Sequence, residues 1–179
     1  MRSPAFAPRP TLPPKFDPET ILTTLVDHGV DFIVIGALAA YLQGSPLPTL
    51  DVDITPKPDP DNLERLWAAL TEIDAKIRSE GTEPLPFSHN ARSLAAADTW
   101  NLSTRYGDLD ITRTPAGTGG YDDLSQEAIT VRIGDSRVRL ASLADVIRSK
   151  EAAGRDKDRR ALPVLRELLS RQIRRHSGG

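Results

Sequence analysis

Two short stretches carry carboxylates at a spacing that can do chemistry. The first, Thr49-Leu50-Asp51-Val52-Asp53-Ile54, alternates polar and apolar residues over six positions. That is the period of a half-buried β-strand. A strand there puts Thr49, Asp51 and Asp53 on one face and Leu50, Val52 and Ile54 on a core face. The second, Tyr106-Gly107-Asp108-Leu109-Asp110-Ile111, repeats the pattern, with Asp108 and Asp110 on one face. Carboxylates about 7 Å apart along one strand face repel each other unless a cation or solvent intervenes. Alone, an Asp-x-Asp is more often a solvated strand end than a site. A third feature shifts that balance. Ile35-Gly36-Ala37 reads as a strand-to-helix turn, where glycine lets a ligand approach the backbone and free N–H groups can hold a phosphate.

The elements that must position these residues follow from caps and periodicity. Asp17-Pro18-Glu19 is a helix start, with Ile21, Leu22, Leu25 and Val26 as its apolar stripe and a stop near His28-Gly29. Asp31 to Ile35 reads as a buried strand, Ala37 to Gln43 as a helix closing at Gly44, and Ser45-Pro46-Leu47-Pro48 as a stiff loop into the first acidic strand. Asp59-Pro60 starts an amphipathic helix carrying Leu63, Leu66, Trp67, Leu70, Ile73 and Ile77. Residues 79 to 97 read as a loop with a short helix around Ala91 to Ala97. Thr99 to Tyr106 and Asp108 to Thr112 read as one strand broken or bulged at Gly107. Pro115 to Gly120 is a flexible loop and Tyr121 to Gln126 a helical turn. Ile129 to Ile133 and Arg137 to Leu140 suggest a hairpin or two successive strands. Ser142 caps a helix running to about Ala153. A last helix, with Leu162, Leu165, Leu168, Leu169 and Ile173, is expected to start near Arg159 or Arg160, because Pro163 is acceptable only in a first turn. The predicted fold class is α/β or α+β: a mixed sheet flanked by helices, with C-terminal helices. The expected domains are a disordered or loosely draped Pro-rich arm over 1–16, a core over 17–141 and a helical segment over 142–179 packed on it.

Charge divides the same way. From Ile147 onward there are ten Lys and Arg against four Asp and Glu, in a chain whose net charge is −2. An acidic body can hold a cation and a basic end a polyanion, although a solvated helix face explains the basic end as well. With no cysteine, disulfides and thiolate metal sites are excluded. No apolar run reaches membrane-spanning length, so no membrane partner is expected. The missing cysteines and the absence of an apolar leader after Met1 fit a cytoplasmic location.

Together these residues resemble the DNA-polymerase-β-type nucleotidyltransferase superfamily: an apolar-Gly-small turn, a spacer of about a dozen residues, Asp-apolar-Asp-apolar, then a later strand aspartate. Gly107-Asp108-Leu109-Asp110, Gly119-Gly120-Tyr121-Asp122-Asp123-Leu124, and Ser149-Lys150-Glu151-Ala152-Ala153-Gly154-Arg155-Asp156-Lys157-Asp158 are similar to its AbiEii-type branch, which includes mycobacterial tRNA-modifying toxins. Two positions depart from the pattern: Ala37, where Gly or Ser is usual, and Leu47, where many relatives carry Arg. The resemblance implies a polymerase-β-like fold and metal-dependent nucleotidyl transfer from an NTP. It implies Asp51, Asp53 and Asp110 as catalytic ligands of Mg²⁺ or Mn²⁺, with Asp110 preferred over Asp108, and Gly36, Ala37, Thr49, Lys150 and Asp158 as nucleotide-binding, Asp158 orienting Lys150 or Lys157. It also implies an RNA acceptor, tRNA in particular, and a cognate antitoxin as partner. A protein or antibiotic acceptor, or a non-catalytic nucleotide- or partner-binding module, are the alternatives. Thr49 is balanced between a locally bonded strand residue and a substrate-facing hydroxyl that a partner kinase could phosphorylate. Ser45 reads as a loop hydroxyl, Trp67, Trp100 and Tyr106 as packing residues, and His28, His89 and His176 as structural or exposed. The Arg171 to Arg175 end is as well explained by solvation as by RNA contact.

Overall fold

A computed structural model describes residues 15–79, 81, 83–86 and 90–177. Most of the expected arm, residues 1–14, and His89 lie outside them. Helix α1 (Pro18–Asp27) starts where its cap predicts: the Asp17 carboxylate accepts from Thr20 N at 3.1 Å. Strand β1 (Phe32–Ile35) is buried along its whole length, which places it mid-sheet with both faces covered. Helix α2 (Gly36–Leu42) follows without a break. Strand β2 (Asp51–Pro56) begins two residues later than the alternation predicts, so Thr49 and Leu50 lie outside it. Leu50, expected in the core, is 80% exposed in the lead-in from Pro48.

Helix α3 (Pro60–Glu72) is capped by Asp59, which accepts from Asn62 N. It ends before Ile77. Asp74 takes a left-handed φ of 54°, the chain turns, and Ile77 falls in strand β3 (Lys76–Ile77). The helical spacing of Ile77 is thus coincidental. Asn62, fully buried, closes the far side of this unit: it accepts from Asp31 N and donates to the carbonyls of Asp31 and Lys57.

Strand β4 (Leu85–Pro86) and helix α4 (Ala91–Leu94) interrupt the expected loop. The stretch read as one bulged strand is a hairpin: β5 (Thr99–Thr104) turns at Arg105-Tyr106 and returns as β6 (Gly107–Thr112). Gly107 sits at φ 120°, and a β-carbon there would lie 2.8 Å from the Phe16 ring. Asp17 N also donates to the Tyr106 carbonyl. Phe16, assigned to the loose arm, therefore anchors the chain on this turn, and Tyr106 belongs to the turn rather than a strand.

Helix α5 (Tyr121–Gln126) leads to the hairpin β7 (Ile129–Ile133) and β8 (Ser136–Leu140). Helix α6 (Leu143–Ala153), capped by Ser142, ends at left-handed Gly154. Helix α7 (Asp156–Ser177) starts about a turn before the expected Arg159 or Arg160 and runs through Pro163. Pro163 and Arg159 are both exposed, so water can satisfy the Arg159 carbonyl that the proline leaves without a donor.

The described strands form one sheet in the order β4-β3-β5-β6-β2-β1-β8-β7. Pairing is parallel for β2 with β6 and β1 with β8, and antiparallel elsewhere. This is the mixed sheet with flanking helices that the sequence predicts. Helices α6 and α7 pack on each other, and α6 also touches α2.

Candidate active site

The parallel register of β2 and β6 builds the site. Asp51 pairs with Asp108 and Asp53 with Asp110, so the two Asp-x-Asp stretches lie side by side and present their carboxylates to one face. Their apolar partners Val52, Ile54, Leu109 and Ile111 are buried on the other face. Oxygens from Asp51, Asp53 and Asp110 come within 4.8 Å of one another, a donor set suited to a hard divalent cation. Asp108 shares the face but stands outside this set: it accepts from Ser103 Oγ at 3.0 Å and from Arg78 Nη1.

Burial first, then the neighbouring Asp51 and Asp110 charges, push the Asp53 carboxyl up to about 7. Lys157 and Lys150 oppose that shift without cancelling it. Burial also raises the Asp110 carboxyl; Arg78 holds it down, while Asp51 and Asp108 push it up again. A carboxylate that resists ionising in the bare protein is a good ligand once a cation supplies the missing charge. The residues present therefore fit a divalent metal.

Gly36 closes in on this cluster. It has φ 66°, and a β-carbon on it would lie 2.5 Å from Asp53 Oδ2. The helix it opens has no side-chain hydrogen bond at its cap residue, Ile35, so first-turn N–H groups beside Asp53 lack a side-chain acceptor.

A cavity of about 750 Å³ lies over the carboxylates. Gly36, Ala37, Asp51, Asp53, Asp110 and Lys150 all line it. Thr49 and Asp158 do not. Thr49 Oγ1 donates to the Asp51 carbonyl at 3.1 Å and approaches Asp51 Oδ1 at 3.4 Å, the local bonding that was one of its two readings. Asp158 is fully buried behind Lys150, accepting from Lys150 Nζ at 3.1 Å and Arg155 Nε at 2.6 Å. Burial, the largest single influence, works to raise the Asp158 carboxyl, but the hydrogen bonds and charges of Arg155 and Lys150 together hold it below the usual carboxylate range. The partner of Asp158 beside Lys150 is thus Arg155 rather than Lys157.

Sequence reasoning missed part of the cavity wall. Arg155, Lys157 and Arg160 line it opposite the carboxylates, and Thr99, Asn101 and Thr112 line the sheet side. Arg155 lies in the turn between α6 and α7, and Lys157 and Arg160 lie at the start of α7, which begins before the expected Arg159 or Arg160. Arg78, which reaches Asp108 and Asp110, gave no signal: it follows a two-residue strand. Trp100 points away from the site, packing on the core with Nε1 donating to the Leu94 carbonyl. His28 is tied to Glu72 at 2.6 Å.

No protein-family profile matches this chain, and no curated protein does. Solved structures do. The lincosamide antibiotic adenylyltransferase LnuA, in its lincomycin-bound form, superposes with a TM-score of 0.57 at 16% identity, covering 87% of this chain and 99% of the other. TM1012 of Thermotoga maritima, a nucleotidyltransferase by assignment, gives 0.51 at 21%, covering 88% and 97%. The antibiotic-resistance factor ANT(2'')-Ia gives 0.50 at 12%, covering 90% and 94%. The fold is the nucleotidyltransferase fold of these neighbours, in agreement with the fold expected from the sequence. Among the described residues no helix is long and apolar enough to cross a membrane.

Proposed function

We propose that the chain is a metal-dependent nucleotidyltransferase that moves an NMP from an NTP to the 3′ hydroxyl of an RNA, tRNA in particular, as the toxin of a toxin–antitoxin pair. The observation that carries the transferase reading is one cavity with three converging carboxylates on its sheet side and Lys150, Arg155, Lys157 and Arg160 opposite. That arrangement suits a cation beside a triphosphate.

Asp51, Asp53 and Asp110 would hold Mg²⁺ or Mn²⁺, which when bound supplies positive charge to the phosphates and acidifies the acceptor hydroxyl. Asp110 takes the hydroxyl proton as that oxygen attacks the α-phosphorus. The bond to the bridging oxygen breaks, and pyrophosphate leaves with the electron pair. Lys150, steadied by Asp158, offsets the charge of the leaving group. Gly36 and Ala37 give phosphate oxygens a close approach to backbone N–H groups. Thr49 holds Asp51 through its hydroxyl.

The polyanionic acceptor is supported by the basic end of the chain. Arg160 lies at the cavity and Arg175 further along α7, the helix that carries them both. A second reading, adenylylation of a small antibiotic, is supported by the likeness to LnuA and ANT(2'')-Ia. One experiment separates them. The protein, beside Asp53→Ala, is incubated with each labelled NTP, Mg²⁺, and either total tRNA, a lincosamide and aminoglycoside panel, or cell protein. Label on tRNA that vanishes in the variant supports the first reading, and label on a drug or protein replaces it. Nucleotide binding without transfer to any acceptor would leave a non-catalytic module.

A further inference from the structure

Arg78 lies just beyond β3, yet its side chain reaches across β5 to the acidic strand β6. Nη1 donates to Asp108 Oδ2 and Nη2 to Asp110 Oδ1, the latter at 2.7 Å. Its own backbone is fixed, with N donating to the Asn101 carbonyl at 2.9 Å. The partners are unequal. Asp108 has both oxygens engaged, one by Arg78 and one by Ser103. Asp110 gives Arg78 one oxygen, keeps the other, and is the more buried of the two, its side chain 17% exposed against 37% for Asp108. Among the described residues Arg78 is the cation that pairs with carboxylates of β6; without it, four carboxylates from two adjacent strands would face one another with that pairing lost.

Resting on the transferase reading above, we propose that Arg78 is a positioning residue for the metal centre: its fork withdraws Asp108 from the cluster and fixes Asp110, so that three carboxylates rather than four receive the cation. The guanidinium suits this task. It is planar, permanently charged, and spans two carboxylates with separate N–H groups. A lysine would return the charge without the two-point hold. Removing Arg78 releases Asp108 as a competing ligand. The cluster then gains net negative charge and holds a cation more tightly, with Asp110 no longer constrained. Tighter metal binding with slower transfer is the signature of that change; a merely structural role would weaken both.

The test compares wild type, Arg78→Lys, Arg78→Ala, and Arg78→Ala combined with Asp108→Asn. Mn²⁺ binding is measured by electron paramagnetic resonance without nucleotide, and transfer by the labelled assay above. Arg78→Ala is expected to bind Mn²⁺ on the order of tenfold more tightly while kcat falls about 10–100-fold. Arg78→Lys should restore the Mn²⁺ affinity and leave kcat low. Adding Asp108→Asn to Arg78→Ala should return Mn²⁺ affinity toward wild type, because the competing ligand is gone, and recover only part of the rate, because Asp110 is still unheld. Unchanged or weaker Mn²⁺ binding in Arg78→Ala, full activity in Arg78→Lys, or no recovery in the double variant each overturns the proposal. The transferase reading fails separately: wild type itself then binds no Mn²⁺ and transfers nothing.

Discussion

Asp53 carries the largest electrostatic cost in the site, and that cost can be measured. Its carboxyl is pushed from an ordinary 3.8 to about 7, chiefly by burial. A carboxyl with a raised folded pKa binds its proton more tightly in the folded state. Stability therefore falls as pH rises from about 3.8 to about 7, and the full penalty persists above that window. A shift of about three units at about 1.36 kcal/mol each gives on the order of 4 kcal/mol against the metal-free protein near pH 8. Asp53→Asn keeps the shape and removes the charge, so it should raise metal-free stability there by about 2–4 kcal/mol, the amide recovering part of the ideal figure. For a chain of this size that is a rise on the order of 5–10 °C in Tm. The assay is scanning calorimetry in EDTA at about pH 8 and about pH 5. The variant should melt well above wild type at the higher pH, with the gap narrowed at the lower. Adding Mg²⁺ should lift wild type and leave the variant nearly unmoved. A variant that melts at or below wild type in EDTA near pH 8, or a gap indifferent to pH, would refute the reasoning.

Three further substitutions probe the supports of the site. Gly36→Ala forces a side chain into φ 66° and into Asp53 Oδ2; it should cost about 1–2 kcal/mol of stability and, by displacing Asp53, lower kcat on the order of 100-fold, read by urea titration and the transfer assay. Asp158→Asn strips the charge from a buried carboxylate held by Lys150 and Arg155. Because the folded pKa of Asp158 is lowered, its contribution is present above the unfolded value of 3.8 and lost as pH falls through the folded one; the variant should be less stable by about 2–3 kcal/mol near neutral pH, discounted for the exposed Arg155 head, with the deficit closing in acid below that value. Asn62→Ala leaves Asp31 N and the Lys57 carbonyl without their partner and takes one of two donors from the Asp31 carbonyl, which keeps Lys57 N, and should lower the urea midpoint by the equivalent of about 2–4 kcal/mol without altering Mn²⁺ affinity.

What was legible in the sequence was local. Asp17, Asp59 and Ser142 each cap a helix by accepting from the backbone three residues on, and each helix begins where the cap predicts. The errors arose where tertiary contacts override local pattern. Ile77 continues the apolar spacing of α3, but Asp74 in a left-handed conformation ends the run and sends Ile77 into the sheet. Arg105-Tyr106 is a hairpin turn without the usual Asn-Gly or Asp-Gly signal, so two strands read as one. Leu50 alternates correctly and is still exposed, since the alternation begins before the strand does. Within the site, Gly36, Asp51, Asp53 and the Asp108/Asp110 pair are visible because their spacing reflects strand and turn geometry, whereas Lys150 on a helix, and the choice of Asp110 over Asp108, rest on the family resemblance. Arg78 is not visible, because its partners lie 30 and 32 residues away and only sheet order brings them together.

That sheet order also fixes the electrostatic state of the site. Pairing β2 with β6 in parallel gathers Asp51, Asp53, Asp108 and Asp110, which would be self-defeating in isolation. Two sets of cations answer it from opposite sides. Arg78 takes one oxygen of Asp108, whose other oxygen accepts from Ser103, and one oxygen of Asp110. Lys150 and Lys157 act on Asp53 from α6 and α7, but their pull ranks below burial and below the charges of Asp51 and Asp110. The chain's own positive groups thus stop short of neutralising the triad. The basic residues on the α6–α7 side also lack a full complement of carboxylates: Asp158 serves both Lys150 and Arg155. A divalent cation carrying a polyphosphate supplies both deficits at once, positive charge to the sheet and negative charge to the helices. Either component alone leaves one side uncompensated, so nucleotide and metal should bind with positive coupling: Mn²⁺ affinity should rise when a non-hydrolysable NTP is present and the rise should shrink in Lys150→Ala, whereas equal affinities with and without nucleotide would remove the charge-matching argument.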